Sequence, residues 1–181
     1  MKTVILIAGP KRSGKDFMAS ILQQKIKSNI YSFADPIKAI MNDAFNITPE
    51  QSNDFKNSGV FLKLPDGSVI DFREILVNFG NTGMKKVFGK DVWTDLCCSF
   101  IDDNPNITIV PDFRLLREYL ILSEKYNVIT IKVENNIAEA KKGSHITENE
   151  LNDFEFDYII DNNKKYKEDL VNSIDLLPFV H

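Results

Sequence analysis

Gly9-Pro10-Lys11-Arg12-Ser13-Gly14-Lys15-Asp16 brings two glycines, a lysine and a carboxylate into one short stretch. The spacing matches the phosphate-binding loop G-x-x-x-x-G-K-[ST] up to its last position. Such a loop turns backbone N–H groups and a helix N-terminus toward an anion. Gly9 and Gly14 permit backbone angles and a close approach that a Cβ would block. Lys15 reaches terminal phosphates as a point charge. Asp16 stands where a serine or threonine normally holds Mg²⁺. A carboxylate is also a hard oxygen ligand, so Mg²⁺ binding at Asp16, directly or through water, is expected. The plainer alternative is a glycine turn capping a helix, with Asp16 favouring its positive end. Spacing, lysine and flanking elements together favour the phosphate.

A second carboxylate closes the apolar run Asn106-Ile107-Thr108-Ile109-Val110-Pro111-Asp112. In open α/β sheets ligands gather at the carboxyl ends of strands. Asp112 there resembles an acid that holds or orients Mg²⁺, although an aspartate after a strand is also a common helix cap. Of the 22 basic residues only Arg12, Arg73, Arg114 and Arg117 are arginines. Arginine offers phosphate a planar fork that lysine lacks, so these few positions are candidates for geometry-critical contacts. Arg114 and Arg117 could equally pair with Glu118 at the surface. In Phe33-Ala34-Asp35-Pro36-Ile37-Lys38, Pro36 fits the first position of a helix with Asp35 as its cap; Lys38 would face a phosphate or solvent. Arg73, Asn78, Phe79, Gly80, Asn81 and Thr82 offer polar groups and an aromatic face that could read a base. Trp93 could stack or fill core, and a lone tryptophan is more often core. His145 has no metal-ligand partners, and Thr147 with Glu150 fits a capping box.

The elements that must position these groups read as strands over about 3–8, 29–33, 106–110, 128–133 and 157–160. Helical patterns fill about 15–27, 35–45, 71–88, 90–102, 113–126 and 164–175. Val4-Ile5-Leu6-Ile7-Ala8 is unbroken apolar, the mark of a strand buried on both faces. After the loop, Phe17, Met18, Ile21, Leu22 and Ile26 recur at helical spacing. The alternation predicts an α/β fold, a mostly parallel five-stranded sheet flanked by helices in three layers. Between 46 and 70 the pattern breaks, except for a small hairpin about Pro65-Asp66-Gly67. Residues 35–95 read as a mostly helical insertion and the polar stretch 135–150 as a mobile cover or a plain surface loop.

One domain is expected for 181 residues. A net charge of −4 and a pI near 5.3 argue against nonspecific nucleic-acid binding, which needs a basic face. No apolar run is long enough for a transmembrane helix, and the N-terminus reads as strand and loop rather than a signal peptide. Adjacent Cys97 and Cys98 cannot form an ordinary bridge with each other and show no metal spacing. They read as reduced, intracellular and structural. With only His145 and His181 besides, no zinc site is expected.

Taken together, the motifs resemble the bacteriophage-type deoxynucleoside monophosphate kinases. The match runs through Gly9 and Lys11 to Asp16, Asp35-Pro36-Ile37-Lys38, the Arg73–Thr82 helix, Trp93, Val110-Pro111-Asp112-Phe113-Arg114 and His145-Ile146-Thr147-Glu148. That family's loop also ends in Lys-Asp, so Asp16 supports the likeness. The resemblance implies a P-loop kinase fold with an acceptor-binding insertion and a lid. It implies transfer of the γ-phosphoryl of ATP to a deoxynucleoside 5′-monophosphate, with Mg²⁺, in a cytoplasm that is the host's if the source is viral. It implies catalytic roles for Lys15, Asp16, Asp112 and Arg114, with Asp16 and Asp112 on the metal. ATP would be bound by Gly9, Lys11, Arg12, Ser13, Gly14, Lys15, Asp16, Phe17 and His145. The acceptor would meet Asp35, Lys38, Arg73, Phe79, Gly80, Trp93 and Arg114. Small-molecule substrates are expected, with no nucleic acid or membrane partner, and a homodimer is left open. The rival readings are a phosphomevalonate kinase-like or dephospho-coenzyme A kinase-like enzyme, a noncatalytic nucleotide-binding module, and a nucleic-acid repair kinase, which would need a basic groove.

Overall fold

The structure is a computed structural model that describes residues 1–63, 66–139, 150–163 and 167–180. It divides into two compact units, Met1–Ser32 with Cys97–His181, and Phe33–Leu96.

The first unit is built on a five-stranded sheet of β1 (Thr3–Ala8), β2 (Ser28–Ile30), β5 (Ile107–Val110), β6 (Asn127–Glu134) and β7 (Tyr158–Asp161). Its order is β2-β5-β1-β6-β7, and every pairing is parallel. The expected α/β sheet is therefore present. Val4, Ile5, Leu6 and Ile7 of β1 are fully buried, which explains the unbroken apolar run: a central parallel strand has no wet face. Each such side chain contributes about 2 kcal/mol of transfer free energy. Helix α1 (Lys15–Lys25) and helix α9 (Lys167–Asp175) enter the same core. Met18, Ala19 and Leu22 meet Leu170 and Ile174 there, together with Ile5, Ile7, Ile109, Ile131 and Val133. Helix α7 (Leu116–Lys125) buries Leu122.

Lys2 donates to the carbonyls of Ile101, Asp102 and Asn104 at 2.7, 2.6 and 3.0 Å. Its ammonium thereby closes the C-terminal end of α6 (Val92–Asp103), where orphan carbonyls favour a cation.

The second unit is helical with one hairpin. It holds α2 (Asp35–Phe45), α3 (Pro49–Ser58), β3 (Phe61–Lys63), β4 (Val69–Asp71), α4 (Phe72–Asn78) and α5 (Lys85–Phe88). A π-helical turn, Phe79–Met84, joins α4 to α5 without a break. Strands β3 and β4 pair antiparallel, as the hairpin reading expects. Met41, Phe72 and Leu76 form its small core. Helix α3 corrects the reading of 46–70 as patternless. It is specified by its ends: Thr48 and Gln51 complete a reciprocal capping box at 2.8 and 3.2 Å, and Gly59 closes it at φ 65°.

Two boundaries also need correction. Strand β2 ends at Ile30 rather than 33, and α7 begins at Leu116 rather than 113.

Candidate functional site

The glycine loop leaves the C-terminal end of β1, the strand at the middle of the sheet. Gly9 takes φ 144° and Gly14 φ 99°, angles that L side chains rarely adopt. Arg12 takes φ 69°, which costs a residue with a Cβ about 1 kcal/mol. Within the loop the Ser13 N–H donates to the Pro10 carbonyl at 3.1 Å. Gly14 is the N-cap of α1 and offers no side-chain cap. No N-cap side chain therefore competes with an anion for the first turn of the helix.

Ser13 is fully buried, and its Oγ has no hydrogen-bond partner among the described residues. A turn of glycines at positive φ, a helix start without a side-chain cap and an orphaned buried hydroxyl fit a phosphate group. Lys15 Nζ donates to the Pro10 carbonyl at 2.7 Å, so its ammonium lies over the same turn. Lys11, Arg12 and Asp16 are exposed, and Phe17 is half-buried.

Strand β5 pairs directly with β1, Leu6 opposite Val110, so Asp112 emerges at the same sheet edge as Gly9. It is half-buried. It does not cap α7. The N-cap there is Leu115, and the Glu118 carboxylate accepts the N–H groups of Arg114 and Leu115 at 2.9 and 3.0 Å. Glu150 accepts that of Leu116 at 3.1 Å. Behind this edge Cys97 is fully buried. Burial, then the neighbouring Cys98 and the carboxylates of Asp112 and Glu118, push its thiol well above the ordinary value. Neither cysteine forms a disulfide and both are buried, as their apolar pattern suggests. Among the described residues no group of three or more His, Cys, Asp or Glu side chains gathers to hold a metal.

In the second unit, the expected capping role of Asp35 is not found. Ala34 is the N-cap of α2, without a side-chain bond, and Asp35 is the first helical residue. Its carboxylate instead accepts from Lys38 Nζ at 3.1 Å, one turn along the helix. Arg73 is exposed in the first turn of α4, where its N–H donates to the Asp71 carboxylate at 2.6 Å. Phe79 is half-buried and Gly80 buried at the start of the π-turn. A Cβ on Gly80 would stand 2.7 Å from Ile37 Cδ1, the movable end of that side chain, so the helices approach closely here. Trp93 is 7% exposed, and its indole N–H donates to the Gly80 carbonyl at 3.1 Å. It fills core and holds the π-turn. His145, with 140–149 of the expected cover, and Thr147 of the expected capping box lie outside the described residues.

The sequence reading missed Asn162 and Asn135. Asn162 Nδ2 donates to the Ser13 carbonyl at 2.8 Å, and Asn135 Nδ2 to the Asn162 carbonyl at 2.7 Å. No local pattern marks an asparagine that acts on a loop so distant in sequence.

The sequence model of the deoxynucleotide monophosphate kinase family matches residues 3–88. No curated protein matches the chain. Among solved structures the chain is similar to the shikimate kinase from Aquifex aeolicus vf5, with a TM-score of 0.50 and 11% identity over 96% of this chain and 94% of that one. It is also similar to TT1252 from Thermus thermophilus, with a TM-score of 0.52 and 12% identity over 95% and 93%. At such identities the likenesses speak for the fold. No helix among the described residues is long and apolar enough to cross a membrane. Loop geometry and sheet order agree with the fold of a P-loop kinase, and the match to the deoxynucleotide monophosphate kinase model spans the loop and the elements up to residue 88.

Proposed function

We propose that the chain transfers the γ-phosphoryl group of ATP to a deoxynucleoside 5′-monophosphate and so yields the diphosphate for DNA synthesis. The observation that carries this is the turn of Gly9 and Gly14 at positive φ leading into α1 with no side-chain cap, within the segment that matches the family model. The loop from Gly9 through Lys11, Arg12 and Ser13 to Gly14 holds the donor phosphates with its backbone N–H groups, with Phe17 beside it on the first turn of α1. Lys15 exchanges the Pro10 carbonyl for a phosphate oxygen and offsets its charge.

Asp16 and Asp112 are the carboxylates that would hold Mg²⁺. A pair of acids suits this ion, which usually keeps phosphate and water as its other ligands. Bound there, Mg²⁺ supplies charge neutralisation for the transferring group. Lys38 and Arg73 are assigned to the acceptor's phosphate, as is Arg114. Asp35 orients Lys38 through their ion pair. Phe79 offers the nucleoside an aromatic edge, while Gly80 and Trp93 keep its helix in shape.

The acceptor is itself a phosphate whose second pKa is near 6, so it is already ionised at neutral pH and needs no general base. Catalysis then rests on positioning and charge neutralisation.

A coupled assay with ATP, Mg²⁺ and each deoxynucleoside monophosphate tests the proposal, with mevalonate 5-phosphate and dephospho-coenzyme A as competing acceptors. ADP release that depends on a deoxynucleoside monophosphate is expected. Transfer only to a competing acceptor, or ATP binding without transfer to any, would overturn it.

A further inference from the structure

The two loop glycines are backed by different parts of the chain. A Cβ on Gly9 would run into the carbonyl oxygen of Val133, in β6. One on Gly14 would stand 2.6 Å from Nδ2 of Asn162, the residue that follows β7. The same nitrogen donates to the Ser13 carbonyl at 2.8 Å. Asn162 is itself fixed at both backbone groups. Its N–H donates to the Glu134 carbonyl at 2.9 Å, and its carbonyl accepts from Asn135 Nδ2 at 2.7 Å. Asn135 Oδ1 accepts the N–H of Ala138 at 2.9 Å, inside the short helix α8 (Asn136–Glu139). The donor arm thus springs from a rigid point at the ends of β6 and β7.

All peptide bonds described are trans. Across the Ser13–Gly14 bond the C=O and N–H therefore point in opposite directions. A Ser13 oxygen tied to Asn162 sends the Gly14 N–H to the other side, away from the strand ends. Without that tie, Gly14 could rotate the peptide freely, because glycine has no steric preference to resist it.

We infer that Asn162 is a positioning residue of the donor-phosphate site: it sets the Ser13–Gly14 peptide so that the Gly14 N–H faces the bound polyphosphate. The inference rests on the phosphate-binding role of the loop proposed above. Asn162→Asp keeps the size of the side chain but faces the Ser13 oxygen with another acceptor. Asn162→Leu also removes the donor and carries no charge, so the two variants together separate charge from hydrogen bonding. Each is compared with Lys15→Ala by calorimetric titration of the β,γ-imido analogue of ATP, by the KM values for ATP and for the acceptor, and by thermal melting.

The expected result is about tenfold weaker analogue binding in both Asn162 variants, the size of one lost hydrogen bond. The KM for ATP should rise in parallel, with the KM for the acceptor unchanged. Lower melting temperature with unaltered analogue binding, while Lys15→Ala binds weakly, would overturn the inference and leave the loop's role standing. Wild-type binding by Lys15→Ala would overturn both. If one Asn162 variant does not fold, the other decides.

Discussion

Lys15 is a cation with an internal partner, and this makes its contribution to turnover separable from its contribution to stability. Its ammonium rests on the Pro10 carbonyl at a half-buried position. Lys15→Ala is expected to lower turnover about 10²–10³-fold, the loss that follows removal of one preorganised charge or donor. The melting temperature should stay within a few degrees, since the bond to the Pro10 carbonyl contributes only about 1 kcal/mol. Steady-state kinetics beside a melting curve checks both halves, and near-full activity would remove Lys15 from the machinery. The loop was legible because its chemistry is local: glycines, lysine and the adjoining strand occupy consecutive residues. Asn162 was not, because its one informative contact spans 149 positions. Asp35 was misread for a related reason. Asp-Pro is a helix-start signal that fixes the boundary only to within a residue, and the chain enters α2 at Ala34, already in helical geometry.

Among the elements, the continuous helix of α4, π-turn and α5 carries the clearest stability prediction. Its π-turn begins at Phe79–Gly80, with the Gly80 carbonyl accepting from Trp93. Gly80→Ala puts a methyl group 2.7 Å from Ile37 Cδ1. The Ile37 methyl must turn aside, and its cost is set against the preference of about 1 kcal/mol for Ala over Gly in a helix, so a net change within about 1 kcal/mol is expected. Ile37→Ala in the same chain makes room for it, so thermal melting of the four chains should give a coupling energy of at least about 0.5 kcal/mol. Additive effects would show that the two side chains do not meet. Trp93→Phe removes the indole donor and with it one hydrogen bond to the Gly80 carbonyl, at a cost of about 1 kcal/mol, read in the same melts. The helical span was visible in the sequence from its apolar spacing, but the π-turn was not. One extra residue in a turn leaves no compositional trace when Phe79-Gly80-Asn81-Thr82 also suits an ordinary helix. Helix α3 escaped for the opposite reason. Its caps are spelled out by Thr48, Pro49, Gln51 and Gly59, while Phe55 is its single large apolar side chain and no stripe could form.

At the scale of the whole molecule, the buried ionisable groups set an alkaline limit. Burial raises the Cys97 thiol. Burial, and then a hydrogen bond to the Asp102 carboxylate, raise the Tyr126 phenol. A raised folded-state pKa contributes stability that is fully present below the unfolded-state value and is lost as pH climbs past it. The unfolded thiol titrates at about 8.5 and the phenol at about 10. The melting temperature should therefore be level near neutrality and fall from about pH 9 upward. Cys97→Ala should remove the first part of that fall, and an unchanged profile would show that the thiol titrates freely in the folded chain. The sheet as a whole was readable because alternating strands and helices leave few parallel solutions. Its order, β2-β5-β1-β6-β7, is set by crossovers that no local pattern encodes. That order also puts strands of three and four residues at the two rims, Ser28–Ile30 and Tyr158–Asp161, while the eight-residue β6 lies inside. Short rims offer a passing extended chain few amides to recruit, so the architecture guards against fibril growth without needing prolines or lysines along its margins.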